Sequence, residues 1–330
     1  MAEYKGVMVF CDIADGKLAA IATEALGAGR KLADELGEQL SAVLIGDGVS
    51  GLDQSAVSAG ADKVYVGDDP LLKDYQADAY LAIMEKAAKE AMPQIIIMGQ
   101  TTVGRSLAPS LAFRLETTVT LDCVDLSIDA GSKRLLQTKP VYGGNAQAIF
   151  TTDANPQIVT VRTKAMSPTV PDAARKGETI KIDAALDASA IRTRVLDKVL
   201  EEVEGIKLED AVIVVSGGRG IGGPEGFAQL AELAKTLKAA KGASRPPCDN
   251  GWVAETMQVG LTGKIIAPEV YIAIAISGSS QHMSGCSGSK NIIAINKDAE
   301  ANIFREARFG VVGDWKKIIP AFAEKVKELL

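Results

Sequence analysis

The chain has little of what usually signals chemistry. It has four cysteines, Cys11, Cys123, Cys248 and Cys286, standing far apart with no short paired spacing. That pattern excludes an iron–sulfur cluster or a zinc knuckle and fits a reducing compartment where thiols act as small hydrophobes. No apolar run approaches the roughly 18 residues that a bilayer-crossing helix needs. The opening "MAEYKGVMVF" also has no charged region ahead of a long apolar stretch. Membrane insertion is not expected, and a cytoplasmic location is. Excess basic charge is missing too: 36 Lys and Arg against 42 Asp and Glu give a net charge of −6. Nothing in that balance favours nucleic acid or an anionic membrane, so an anionic ligand must be held locally. Finally, there is one histidine, His282. A solitary histidine is more often a hydrogen-bonded structural residue than a ligand or a catalyst.

What is present is apolar sequence in short runs. With 330 residues and 47% hydrophobic content the chain is long enough for two cores. The first half alternates buried-strand runs such as "GVMVFCD", "LSAVLIGD", "ADKVYVGD" and "QIIIMGQTT" with helical stretches such as "AAIATEALGAGRKLADEL" and "DAYLAIMEKAAKEA". Strand-like segments follow in "TTVTLDCVDLSID", "KRLLQTKPVYGGNAQAIFTT" and "PQIVTVRTKA". The expected fold is α/β: two doubly wound, mostly parallel domains over 1–188 and 211–330, joined by a connecting segment over 189–210. Residues 167–190, rich in Pro, Asp and small residues, read as the exit from the first domain. In "IRTRVLDKVLEEVEGIKLED" the positions Leu196, Val199, Leu200 and Val203 have helical spacing, with an extended edge segment as the alternative.

The second series begins with "AVIVVSGGRGIGGPEGFAQLAELAKTLKAA", a buried strand, a glycine turn and a helix opened by Pro224. The turn contains G-x-G-x-x-G from Gly218 to Gly223, in the strand-to-helix context that a dinucleotide fingerprint requires. The alternative is a turn kept tight for packing alone. A nicotinamide site would need an acid at the end of the next strand to bond the ribose. Ser244-Arg245 stands there instead, which argues against an NAD-dependent dehydrogenase. Ligands in such sheets bind outside the carboxyl ends of the strands. Collecting those ends brings together Ser216, Arg219, Ser244, Arg245, Ser277, Gln281, His282, Asn296 and Asp314, with Gly278 among the glycines that let backbone approach a ligand closely.

The motifs "VSGGRGIGG", "GASR", "MQVGLTGKIIAPEVYIAIAISGSSQH", "IIAINKD" and "FGVVGD" resemble, in order and spacing, the FAD-binding domain of the electron transfer flavoprotein α subunit. "GQTTVGRSLAPSLAFRL" resembles the first half of the same family more loosely. The resemblance implies an FAD-binding electron carrier paired with a β subunit, without substrate turnover of its own. Its donor is expected to be an acyl-CoA dehydrogenase or similar enzyme, and its acceptor a quinone- or ferredoxin-linked protein. The alternative is an electron-bifurcating relative linked to NADH and ferredoxin. The resemblance also assigns residues. Ser244 and Arg245 lie beside the isoalloxazine ring, Thr262, followed by Gly263, bonds its N5, and His282 approaches a carbonyl on its pyrimidine end. Arg219, Ser277 and Gln281 hold the pyrophosphate and ribityl chain. Asn296 and Asp314 belong to the adenosine half, although Asn296 could simply cap a turn. One departure stands out: Leu261 occupies the position where the family usually has glutamine.

Overall fold

The computed structural model describes residues 4–144, 146–183, 186, 191–193, 195–197 and 205–329, and the chain divides into two compact units, one of 1–140 with 147–199 and one of 141–146 with 200–330. Up to residue 199 the chain forms β1 (Val7–Phe10), β2 (Leu40–Gly46), β3 (Lys63–Asp68), β4 (Ile95–Gly99), β5 (Val119–Cys123), β6 (Asp125–Ile128), β7 (Leu135–Val141), β8 (Ala146–Phe150), β9 (Gln157–Val161) and β10 (Glu178–Lys181). Seven of them form one sheet in the order β10-β3-β2-β1-β4-β9-β5, parallel throughout. The helices α1 (Ala20–Leu36), α2 (Asp53–Ser58), α3 (Ala77–Ala91) and α4 (Thr102–Arg114) cover its two faces.

The continuous apolar runs explain this arrangement. Successive side chains of a strand point to opposite faces, so a strand covered on both sides must be apolar throughout. In β1, Val7 and Val9 enter the core shared with Leu26 and Leu32 of α1. Met8 and Phe10 enter the opposite core, with Ile83 of α3 and Leu107 of α4. β6 and β7 pair antiparallel, and β8 joins them in a separate three-stranded sheet. β10 lies within the stretch read as a domain exit. Its pattern "ETIK" exposes three of its four residues, as suits an edge strand, and leaves too little apolar signal to identify from sequence.

The second unit has β11 (Ile213–Gly217), β12 (Ala240–Ala243), β13 (Val270–Ile274), β14 (Asn291–Asn296) and β15 (Phe309–Val312) in the order β12-β11-β13-β14-β15, again all parallel. Numbered within the unit this is 2-1-3-4-5, and the direction of winding reverses between β11 and β13. The helices are α5 (Pro224–Thr236), α6 (Arg245–Asp249), α7 (Ser280–Cys286), α8 (Ile303–Glu306) and α9 (Trp315–Leu329). Leu230 and Leu233 of α5 pack with Trp315 and Ile319 of α9 on Val215, Ile272 and Ile274. The opposite face holds Val214, Tyr271, Ala273, Met283 and Ile303. Part of the expected connecting segment 189–210, including Val199, Leu200 and Val203, lies outside the described residues. Its last part does not behave as a connector, because Leu208 is buried in the core of the second unit.

Candidate functional site

The reversal between β11 and β13 opens a crevice at the carboxyl edge of the sheet, and a cavity of about 770 Å³ occupies it. The loops that leave the strands build its wall. Arg219 and Gly220 follow β11, Ser244 and Arg245 follow β12, Ser277 and Ser279 follow β13, and Asn296 ends β14 with Lys297 after it. A loop from Gln258 to Thr262 and the first turn of α7, with Gln281 and His282, close the remainder.

The glycine turn works through close approach. A Cβ on Gly218 would lie 2.0 Å from the Ala275 carbonyl oxygen, so only glycine lets the loops after β11 and β13 cross at the reversal point. Gly278 has φ +78°, and a Cβ there would lie 2.3 Å from the Ile303 amide. It therefore shapes the Ser277 loop against α8 without itself lining the cavity.

The side chains differ in how firmly they are held. Ser244 is buried, and its amide donates to the Gly217 carbonyl at 3.0 Å. Arg245 opens α6 and is mostly exposed, with its Nε 3.1 Å from the Asp249 carboxylate one turn on. Asn296 is committed at both ends: it donates to the Ile276 carbonyl at 2.9 Å and accepts from the Asp298 amide at 3.0 Å. The turn-capping alternative is thus realised, although Asn296 lines the cavity as well. Gln258, buried, donates through Nε2 to the Thr262 hydroxyl at 2.8 Å.

His282 is buried with both ring nitrogens engaged. Nδ1 lies 3.0 Å from the Val259 carbonyl oxygen and Nε2 lies 2.8 Å from the Tyr271 hydroxyl. A carbonyl can only accept, so Nδ1 carries the proton and Tyr271 donates to Nε2. Burial pushes the imidazole pKa down to about 4, against a smaller upward pull from the Val259 carbonyl, and the ring is neutral at pH 7. A hydrogen bond from this ring to a ligand carbonyl requires exchange of one of its present partners. Burial also raises the thiols, Cys248 to about 11 and Cys286 to about 12, so neither is a nucleophile at neutral pH.

Of the residues expected at the site, the structure brings together Arg219, Ser244, Arg245, Thr262, Ser277, Gln281, His282 and Asn296. Gly263 and Gly278 support the wall from behind. Asp314 stands apart: it follows the outermost strand β15, is exposed, and its carboxylate accepts the Lys316 amide at 3.0 Å as the cap of α9. Gln258, Asp249, Lys297 and Asp298 line the cavity without having been singled out from sequence. The i, i+4 spacing of Arg245 and Asp249 was the available signal for one of them. Gln258 carried none, because its contact spans a turn.

The donor set suits a dinucleotide carrying a diphosphate. Arg219, Arg245 and Lys297 bring three cations against the carboxylates of Asp249 and Asp298, with the hydroxyls of Ser244, Thr262, Ser277 and Ser279 between them. The volume lies within the range of roughly 300–1,000 Å³ typical of small-molecule sites. β12 ends immediately before Ser244, so the position where a ribose-binding acid belongs in a nicotinamide site is confirmed as Ser244-Arg245. Among the described residues there is no cluster of His, Cys, Asp and Glu that could hold a metal ion, and no helix is long and apolar enough to cross a membrane.

Comparison with known proteins agrees with this chemistry. A family profile described as "Electron transfer flavoprotein domain" matches residues 7–187, and one described as "Electron transfer flavoprotein FAD-binding domain" matches residues 207–287. The chain is 46% identical over 330 residues to an electron transfer flavoprotein subunit alpha of Thermoanaerobacterium thermosaccharolyticum, covering 100% of both chains. It is 41% identical to the subunit of that name from Megasphaera elsdenii, covering 99% of this chain and 98% of that one. It is also 40% identical to protein FixB of Clostridium saccharobutylicum, with 100% and 98% covered.

Proposed function

The chain belongs to the electron transfer flavoprotein α-subunit family, and from that premise we propose how it holds its cofactor and which proteins it serves. It is an FAD-binding electron carrier and one half of a heterodimer with a β subunit. FAD supplies the one- and two-electron chemistry, while the protein supplies orientation and electrostatics.

In this reading Arg219, Ser277 and Gln281 hold the diphosphate and ribityl chain, and Asn296 with Lys297 bounds the adenosine side. Ser244 and Arg245 stand beside the ring, where the guanidinium favours added negative charge. The Asp249 carboxylate, 3.1 Å from Arg245, moderates that effect. Thr262 donates a hydrogen bond to N5. His282, neutral and buried, closes the wall behind the ring. The donor is an acyl-CoA dehydrogenase or a similar enzyme, the acceptor is quinone- or ferredoxin-linked, and the complex works in the cytoplasm.

The observation that carries the reading is the cavity at the β11/β13 reversal, lined by three cations and a row of hydroxyls. The test is to purify the heterodimer, count its flavins, and compare Arg219→Glu with wild type. Reversing that charge should lower FAD affinity at least tenfold. Full flavin retention by the variant through dialysis would remove Arg219 from the site. Reduction of the bound flavin by acyl-CoA plus an acyl-CoA dehydrogenase tests the donor, and reduction by NADH alone would point to the bifurcating relatives instead.

A further inference from the structure

The loop from Gln258 to Lys264 is closed on itself. The Lys264 amide donates to the Gln258 carbonyl at 2.7 Å, and the Gly263 amide donates to the Gly260 carbonyl at 3.0 Å. Gly263 permits the closure, because a Cβ there would lie 2.3 Å from the Gln258 carbonyl oxygen and 2.8 Å from Gln258 Cγ. On the other side Gly260 backs onto α7, where a Cβ on Gly285 would meet the Gly260 amide at 2.3 Å. The loop is therefore a stiff frame, and across it the buried Gln258 side chain reaches the Thr262 hydroxyl, Nε2 to Oγ1, at 2.8 Å.

We propose that Gln258 is a positioning residue that turns Thr262 into a hydrogen-bond donor toward the bound ligand. A hydroxyl has one proton to give and lone pairs that accept. The Gln258 amide N–H occupies a lone pair of Oγ1 and has no use for the proton, which leaves that proton free to donate. A ligand atom beside Thr262 is then selected for carrying a lone pair, as N5 of oxidised flavin does. An N–H at that point must compete for the one lone pair of Oγ1 that Gln258 leaves. Orienting a hydroxyl through a rigid neighbour also removes the rotational freedom that a lone threonine would lose on binding. The proposal rests on FAD occupying the cavity with N5 beside Thr262.

The test uses the flavin-stripped heterodimer and two ligands, FAD and 5-deaza-FAD, in which a C–H replaces N5 and cannot accept. At pH 8 the wild type should bind FAD roughly two- to tenfold more tightly than 5-deaza-FAD, the worth of one neutral hydrogen bond. Thr262→Val should abolish the preference. Gln258→Glu should abolish or invert it, because a carboxylate accepts the threonine proton and turns a lone pair toward N5. Gln258→Met, close in volume and unable to donate, should reduce the preference by freeing the hydroxyl to rotate. The ¹⁵N chemical shift of labelled N5 in bound FAD should move in the Glu variant in the same direction as in Thr262→Val. If Thr262→Val loses the preference while both Gln258 variants keep the wild-type preference and shift, the role of Gln258 is overturned and the N5 contact stands. If Thr262→Val keeps the preference, the N5 contact itself falls, and the proposal with it.

Discussion

Because His282 is the only histidine, a titration followed by imidazole C–H resonances reads one residue without assignment. Its expected midpoint is about 4, lowered from 6.5 by burial. The sign of the stability effect follows. Unfolded chain takes up a proton near pH 6.5, whereas the folded chain resists until pH 4. The contribution of the buried neutral ring is therefore complete above pH 6.5 and is lost as pH falls through that window. The loss amounts to about 3 kcal/mol by pH 4. His282→Gln should be less stable than wild type at pH 7, with a gap that narrows by about that amount at pH 4, as measured by urea unfolding across the range. Tyr271→Phe provides the second arm. It removes the donor that stabilises the neutral ring at Nε2, so the midpoint should rise by about 0.4 to 1.1 pH units. A midpoint near 6.5 in the folded chain, or one that falls in Tyr271→Phe, would refute the assignment of proton and partner.

Other outcomes follow from the same geometry. Gly278→Ala should destabilise the chain by about 2–4 kcal/mol, combining a left-handed backbone with a clash against Ile303. Gly222→Ala, at φ +91° with open space around it, should cost only the backbone part, about 1–2 kcal/mol; equal Tm losses would show that the clash is absorbed. Arg245→Ala should lower the flavin midpoint potential by up to about 40 mV, since a charge about 4 Å away under water-like screening is worth about 1 kcal/mol. Asp249→Asn should raise it by less, and spectroelectrochemistry that finds no change in either variant would remove the pair from the ring's surroundings. Asp314→Ala should cost about 1 kcal/mol of stability through loss of the α9 cap. Weaker FAD retention at unchanged stability would instead place Asp314 at the ligand.

Much of the fold was legible because central parallel strands must be apolar on both faces, and runs such as Ile95–Gly99 are buried throughout. The exceptions are the elements that obey a weaker rule. β10 is an exposed edge strand, and α6 is a five-residue helix that begins "RPP", too short for an apolar period although proline suits its first turn. The cavity was legible where residues end strands near the winding reversal. Asp314 also ends a strand, but β15 lies at the far edge of the sheet, and Asp314 is not among the residues that line the cavity. Gln258 and the partners of His282 were beyond sequence reasoning, because contacts such as Tyr271 to His282 depend on how a helix packs over a strand.

Every described residue around the cavity, from Arg219 to Ala301, belongs to the second unit. On the proposed reading, what this chain contributes to the potential of its stored electron is thus written into one stretch of sequence. Substitutions in the first unit leave those residues untouched, whatever they do to the outer surface that a partner protein meets. Selection can act on the two properties separately. A lineage is free to acquire a new donor or acceptor by altering its outer surfaces while the energy level of its stored electron stays where it was.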